Sequence, residues 1–162
     1  MTNTVINLDR FAAKHAQNII NCLVDKDEKG NERKDKKKIN DAAKKSENTV
    51  TKALGVLQED GVYACFIYLL AQEKDNGKVV VAEMLYLLEK LGFSANKLIK
   101  EDGKINLSPQ SVLNHITDNV TQNLERLLLT KETLEQMLIY ARYGAKARQE
   151  DEKEKKDEPG VS

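Results

Sequence analysis

The stretch from Val50 to Leu91, VTKALGVLQEDGVYACFIYLLAQEKDNGKVVVAEMLYLLEKL, decides the fold of this chain. It contains three apolar runs with helical spacing, and the dipeptides Asp60-Gly61 and Asn76-Gly77 separate them. The middle run, Val62 to Ala71, has no charged residue, proline or glycine, so we expect a central helix that other helices surround. Because this core carries no residue pattern of a catalytic centre, it favours a function exerted by the surface of the domain.

The composition predicts one all-α domain in a chain of 162 residues. Aromatic residues make up only 5% of the chain and tryptophan is absent, which disfavours a β-sandwich or barrel. The 26 basic and 26 acidic residues cancel, so the net charge predicts no class of partner. The N-terminus lacks the pattern of a signal peptide, and no apolar stretch reaches the ~20 residues of a membrane span. We therefore expect a cytoplasmic protein with no membrane partner.

The apolar spacing predicts a compact bundle of five to seven helices over residues 1–148. The expected helices cover residues 8–24, 39–58, 62–71, 79–91, a helix from Pro109 that breaks or kinks near Thr117-Asp118 before a segment over 120–129, and 131–148. Their expected caps are Asn7 or Asn3, Gly92, Ser108 and Thr130.

Three segments between and beyond these helices have other expected structures. A minor hairpin is an alternative for residues 93–107, where the EDGK sequence is typical of a tight turn. Residues 25–38 are densely charged and predict a mobile connection, because they cannot offset their ordering entropy by burial. Residues 149–162 predict a disordered acidic tail for the same reason.

The inventory of chemically reactive side chains predicts no enzyme activity. His15 and His115 are far apart in the sequence, and neither Cys22 nor Cys65 belongs to a CxxC pair. No phosphate-binding loop, dinucleotide-binding fingerprint, HExxH or GxSxG motif occurs. We therefore expect no catalytic residue, no metal site and no cofactor, with both cysteines as buried free thiols on apolar helix faces.

Basic side chains on the polar faces of three helices are the remaining candidates for a functional site. Taken singly, each set fits an ordinary solvated face, and cations near a helix C-terminus also complement its macrodipole. Together they would suit a phosphate backbone if the bundle brings them to one surface. The candidate RNA-binding residues are Arg10, Lys14, Lys44, Lys45, Lys52, Arg142, Lys146 and Arg148.

Two segments of the chain resemble the small subunit of type III-B (Cmr-type) CRISPR RNA-guided effector complexes. Residues 49–74, TVTKALGVLQEDGVYACFIYLLAQEK, are similar to the helix–Gly–helix hairpin of that family, with Gly61 at the turn. Residues 116–147, ITDNVTQNLERLLLTKETLEQMLIYARYGAKA, are similar to its C-terminal region. There a helix break precedes a threonine-led start, here Thr130, and a last helix that closes on basic residues and alanines.

This resemblance implies a non-catalytic all-α subunit of an antiviral defence complex. Copies of such a subunit stack along the effector and help to cradle the guide RNA–target RNA duplex. The implied partners are the backbone subunits that carry the guide RNA, the duplex and other copies of the same chain. Two alternatives remain: a helical adaptor that binds only proteins, and a small helical enzyme built around His15 or His115.

Overall fold

A computed structural model describes residues 7–93, 98, 102 and 104–149 of the chain. These residues form six α-helices and no strand, which confirms the predicted all-α bundle. Outside the helices, an isolated antiparallel bridge joins Lys26 to Glu32. The helices are α1 (Leu8–Ile20), α2 (Lys36–Asp60), α3 (Val62–Gln72), α4 (Lys74–Lys90), α5 (Pro109–Ile116) and α6 (Leu124–Ala147). Two π-helical turns extend α1 and α5, over Asn21–Asp25 and Thr117–Thr121.

The central helix of the bundle is α6, which packs along both α1 and α2. A second group of helices lies against these three, because α3 packs on α2, and α4 packs on α1 and α3. The prediction that α3 is the surrounded helix is wrong, since Tyr63 and Ile67 on α3 are 40% and 39% exposed. Only the face of α3 with Phe66 and Leu69 is fully buried. The other face of this helix is also apolar, although it is partly exposed to solvent.

The ends of α1 and α2 lie close to their predicted positions. Asn7 caps α1, and its side-chain oxygen accepts a hydrogen bond from the Arg10 amide at 3.0 Å. α2 begins three residues earlier than expected, at Lys36, because the Asp35 carboxylate accepts a hydrogen bond from the Lys37 amide at 2.9 Å. Part of the charged connection is hydrogen-bonded locally, since Asp27 accepts bonds from the amides of Lys29 and Asn31. The mobility of residues 25–38 stays a prediction.

The junction of α3 and α4 differs from the predicted Asn76-Gly77 turn. The helical path breaks at Glu73, and Lys74 takes the left-handed conformation with φ 47°. Gly77 instead lies buried in the first turns of α4. A Cβ atom at Gly77 would lie 2.1 Å from the carbonyl oxygen of Leu69. The glycine therefore permits α3 and α4 to approach each other closely. Close helix contacts and tight turns both favour glycine, so the sequence alone does not tell them apart.

The start of α6 also differs from its prediction. The helix begins at Leu124, and Asn123 caps it by accepting a hydrogen bond from the Arg126 amide at 3.1 Å. Thr130, the predicted cap, lies buried inside the continuous helix, so that prediction is wrong. The run from Leu124 to Leu129 is rich in strong helix formers, which explains why the helix extends backwards past Thr130.

Other predicted helix ends agree with the structure. Gly61 and Gly92 have φ angles of 98° and 85° at the ends of α2 and α4. Pro109 occupies the first turn of α5, although the Ser108 side chain makes no capping hydrogen bond. About half of the alternative hairpin over 93–107 falls outside the described residues, and the predicted tail beyond Gln149 falls wholly outside them.

Candidate nucleic-acid interface

The basic stripe of α1 faces solvent along its whole length. Arg10 and Lys14 are exposed, and so are Gln17 and Asn21 further along the same helical face. The opposite face of α1 is buried in the core, where Ala12, Ala16 and Ile19 lie. Helical periodicity thus predicted the orientation of this stripe, because the burial of the apolar face determines where the polar face points.

Two of the candidate cations at the C-terminal end of α6 lie beside acids of other elements. The Lys146 ammonium lies 3.8 Å from the Glu47 carboxylate of α2, and the Arg148 Nε lies 3.3 Å from Asp25. Arg142 is partly buried, and its Nε is enclosed without a hydrogen-bond partner among the described residues. The sequence around these cations is free of acids, so only the tertiary packing reveals these two ion pairs.

The three candidate RNA-binding lysines of α2 lie on different sides of that helix. Lys44 is exposed one helical turn before Glu47, whose carboxylate meets α6. Lys45 instead lines a groove shared with the start of α4, and Lys52 lines a shallow groove beside Tyr68 of α3. α1, α6 and Lys44 thus form one candidate region, and Lys45 and Lys52 border a second one near α3 and α4.

A groove between α1 and α6 was not predicted from the sequence. This α1–α6 groove has a volume of about 620 Å³, and its lining includes Gln17, Asn21 and Tyr140. A hydrogen bond from the Tyr140 hydroxyl to Asp9 spans one end, and it raises the pKa of Tyr140. The ion pair of Asp25 and Arg148 spans the other end.

Two sequence signals mark this groove once the helix pairing is known. Gly144 lies against Ile20 of α1, where an added Cβ would be 3.0 Å from the Ile20 Cγ1 atom. This close approach leaves the groove floor with small side chains. Tyr143, which precedes Gly144 on α6, is 64% exposed and follows Arg142 directly. An exposed aromatic ring within a basic, acid-free run is the signal that sequence reasoning missed.

The histidines and cysteines occupy separate positions in the fold. The His15 Nδ1 lies 2.7 Å from a Glu83 carboxylate oxygen, and this largely buried pair joins α1 to α4. His115 contacts Asn119 within its own helical segment. Among residues 7–93 and 104–149, no group of three or more His, Cys, Asp or Glu side chains could hold a metal ion.

Both cysteines are free thiols, but their environments differ. Cys65 is buried in α3, and burial raises its pKa to about 12. Cys22 is exposed, so the prediction that both thiols are buried is wrong for this residue. Its position in the π-helical turn after α1 explains the difference, because the wider turn shifts residues out of the register of the preceding α-helix.

No family model, curated protein or solved structure matches this chain. In the described part of the chain, no helix combines the length and the apolar character that a membrane crossing requires.

Proposed function

We propose that this chain is a non-catalytic RNA-binding subunit that contacts the phosphate backbone of a guide RNA–target RNA duplex. Its place would be that of the small subunit of a type III-B CRISPR effector. The observation that carries the proposal is the arrangement of cations on the two helices that border the α1–α6 groove. Arg10 and Lys14 lie along α1, while Arg142 and Lys146 lie along the second half of α6 and Arg148 is its C-cap residue.

The charge distribution around these helices supports an anionic partner. Neither the segment from Arg10 to Asn21 nor that from Gln136 to Gln149 contains an aspartate or glutamate. The acids brought close by the fold, Glu47 and Asp25, form exposed or half-exposed ion pairs. Such pairs contribute about 1 kcal/mol or less, so a phosphate group can compete for the same cations.

Backbone contacts of this kind suit a subunit that holds a duplex without reading its sequence. Lysine and arginine bound to phosphate oxygens position a protein on nucleic acid but carry no sequence information. Double-stranded RNA is recognised mainly through its shape, its phosphates and its 2′-hydroxyl groups. The proposed partners are accordingly the duplex, the backbone subunits that carry the guide RNA, and other copies of this chain.

The first test removes four proposed phosphate contacts at once. The variant Arg10→Ala, Lys14→Ala, Arg142→Ala, Lys146→Ala, in the assembled effector, should bind all target RNAs more weakly. Each lost contact should reduce the slope of log affinity against log salt by ~0.7 to 0.9. Binding is measured by titration of labelled target RNA over a range of salt concentrations.

A matched control separates specific contacts from loss of net charge. The variant Lys74→Ala, Lys78→Ala, Lys90→Ala, Lys104→Ala removes four exposed cations that lie outside the α1 and α6 surfaces. It should leave both the affinity and the salt slope close to those of the wild type. Equal behaviour of the two variants, with both folded and assembled, would contradict the proposal.

A helical adaptor that binds only proteins is the second candidate. Leu124 and Leu128 lie one turn apart at the start of α6 and are 68% and 57% exposed. Such exposed apolar side chains favour a protein contact. If the adaptor function is correct, Leu124→Gln with Leu128→Gln should abolish partner binding, and the four substitutions of lysine and arginine described above should leave RNA affinity unaffected.

A further inference from the structure

The α1–α6 groove is open, compact and floored by small residues. Its volume of about 620 Å³ lies within the ~300 to 1,000 Å³ of small-molecule sites. Ala13, Ala16 and Gly144 line it, so little side-chain volume fills the space between the two helices. The contacts of Tyr140 with Asp9 and of Arg148 with Asp25 hold the two helices together at the ends of the groove.

The polar side chains along the groove offer hydrogen bonds to a neutral planar group. Gln17 and Asn21 lie one helical turn apart, are exposed and line the groove. Each amide carries both donors and an acceptor, the combination that pairs with the edge of a nucleobase, most often adenine. The Tyr140 ring lines the same space, and the exposed Tyr143 ring lies one residue before Gly144. Aromatic rings of this kind stack on unpaired bases.

The charges distinguish a base from a phosphate as the occupant. Inside the groove the Asp25 carboxylate is paired with Arg148, so the lining offers an anion no unopposed cation. Outside it, Arg10 and Lys14 lie on one flank and Lys146 lies on the other helix. This arrangement favours phosphates on the α1 flank and an uncharged base between the helices.

We infer that the α1–α6 groove binds one unpaired nucleobase, with adenine preferred, through the amides of Gln17 and Asn21 and an aromatic wall from Tyr140. This inference rests on the proposed RNA-binding function. It adds recognition of a nucleobase, which the contacts to the phosphate backbone do not provide. A base belonging to an RNA strand and the base of a free nucleotide would make the same contacts.

The experiment compares three probes on the full chain at low salt. The probes are a short oligoadenylate, a ribose-phosphate polymer of equal length without bases, and adenosine monophosphate. The wild type should bind the oligoadenylate about tenfold more tightly than the polymer without bases. The variant Gln17→Ala, Asn21→Ala should lose this difference while it keeps its affinity for the polymer without bases.

The chain itself provides a matched control. Gln110 and Asn114 on α5 are also exposed and also one turn apart, but they do not line the α1–α6 groove. The variant Gln110→Ala, Asn114→Ala should therefore bind all three probes like the wild type. A second groove variant, Ala13→Leu, fills the floor without removing any polar group and should also lose the preference for the oligoadenylate.

The outcomes separate this inference from the proposed function. Equal binding of both polymers, unchanged in Gln17→Ala, Asn21→Ala, would overturn the base site and leave the backbone contacts standing. Binding of adenosine monophosphate alone, lost in the same variant, would support the base site and overturn the RNA-binding function. Absence of binding to all three probes would overturn both.

Discussion

Replacing Gly77 by alanine is expected to lower the free energy of unfolding by about 3 kcal/mol. The added Cβ would lie 2.1 Å from the carbonyl oxygen and 2.9 Å from the carbonyl carbon of Leu69. Both are backbone atoms of α3, so a rotamer change cannot relieve the overlap. α3 and α4 would have to separate, which would expose part of the core that includes Leu69 and Val80.

Gly55 provides the control for this substitution. It lies within α2, and a Cβ atom built there meets nothing within 4 Å. Gly55→Ala should therefore raise the unfolding free energy by up to about 1 kcal/mol, because alanine is the better helix former. Urea unfolding followed by circular dichroism compares the two variants. A loss of less than about 1 kcal/mol in Gly77→Ala would show that the junction of α3 and α4 is loosely packed.

The case of Gly77 also shows where sequence reasoning about the fold reached its limit. The apolar period along residues 79–91 correctly predicted a helix, because one buried face determines that spacing over many residues. Asn76-Gly77 indicated a turn because a glycine supports left-handed backbone. Here Lys74 takes that conformation instead, and the glycine accommodates the carbonyl group of Leu69. A local pattern cannot distinguish these two uses, because the second depends on how neighbouring helices pack.

The candidate interface was predictable to a similar extent. The exposure of Arg10 and Lys14 followed from the spacing of α1 alone. The partners of Lys146 and Arg148 did not, because Glu47 and Asp25 are distant in sequence and reach α6 only in the folded chain. The α1–α6 groove was also beyond prediction, since it requires knowledge that Gly144 packs against Ile20.

The fold is expected to lose stability steeply in alkaline solution because of the buried thiol of Cys65. Burial raises the pKa of this thiol from 9.0 to about 12. Above pH 9 the unfolded chain has released the thiol proton, whereas the folded chain retains it. The unfolded state thus binds fewer protons, and the unfolding free energy falls by about 1.4 kcal/mol per pH unit. Over the whole interval to pH 12 this amounts to about 4 kcal/mol.

The contribution of Cys65 can be isolated by comparing slopes. Urea unfolding of the wild type and of Cys65→Ala between pH 8 and pH 10.5 gives the unfolding free energy as a function of pH. Cys65→Ala should have a shallower slope above pH 9, whatever packing it loses, because the slope depends on proton binding alone. Groups that do not interact with Cys65 contribute equally to the slope of both proteins, so their contributions cancel in the difference.

Cys22→Ala is the matched control for this comparison. The residue is exposed overall, and the pKa of its thiol is also raised, by partial burial and by the nearby Glu83 carboxylate. Because solvent still reaches this thiol, Cys22→Ala should change the slope less than Cys65→Ala does. Identical slopes for the wild type and Cys65→Ala would mean that solvent reaches the Cys65 thiol in the folded state, and that α3 is not held in the core along its Phe66 face.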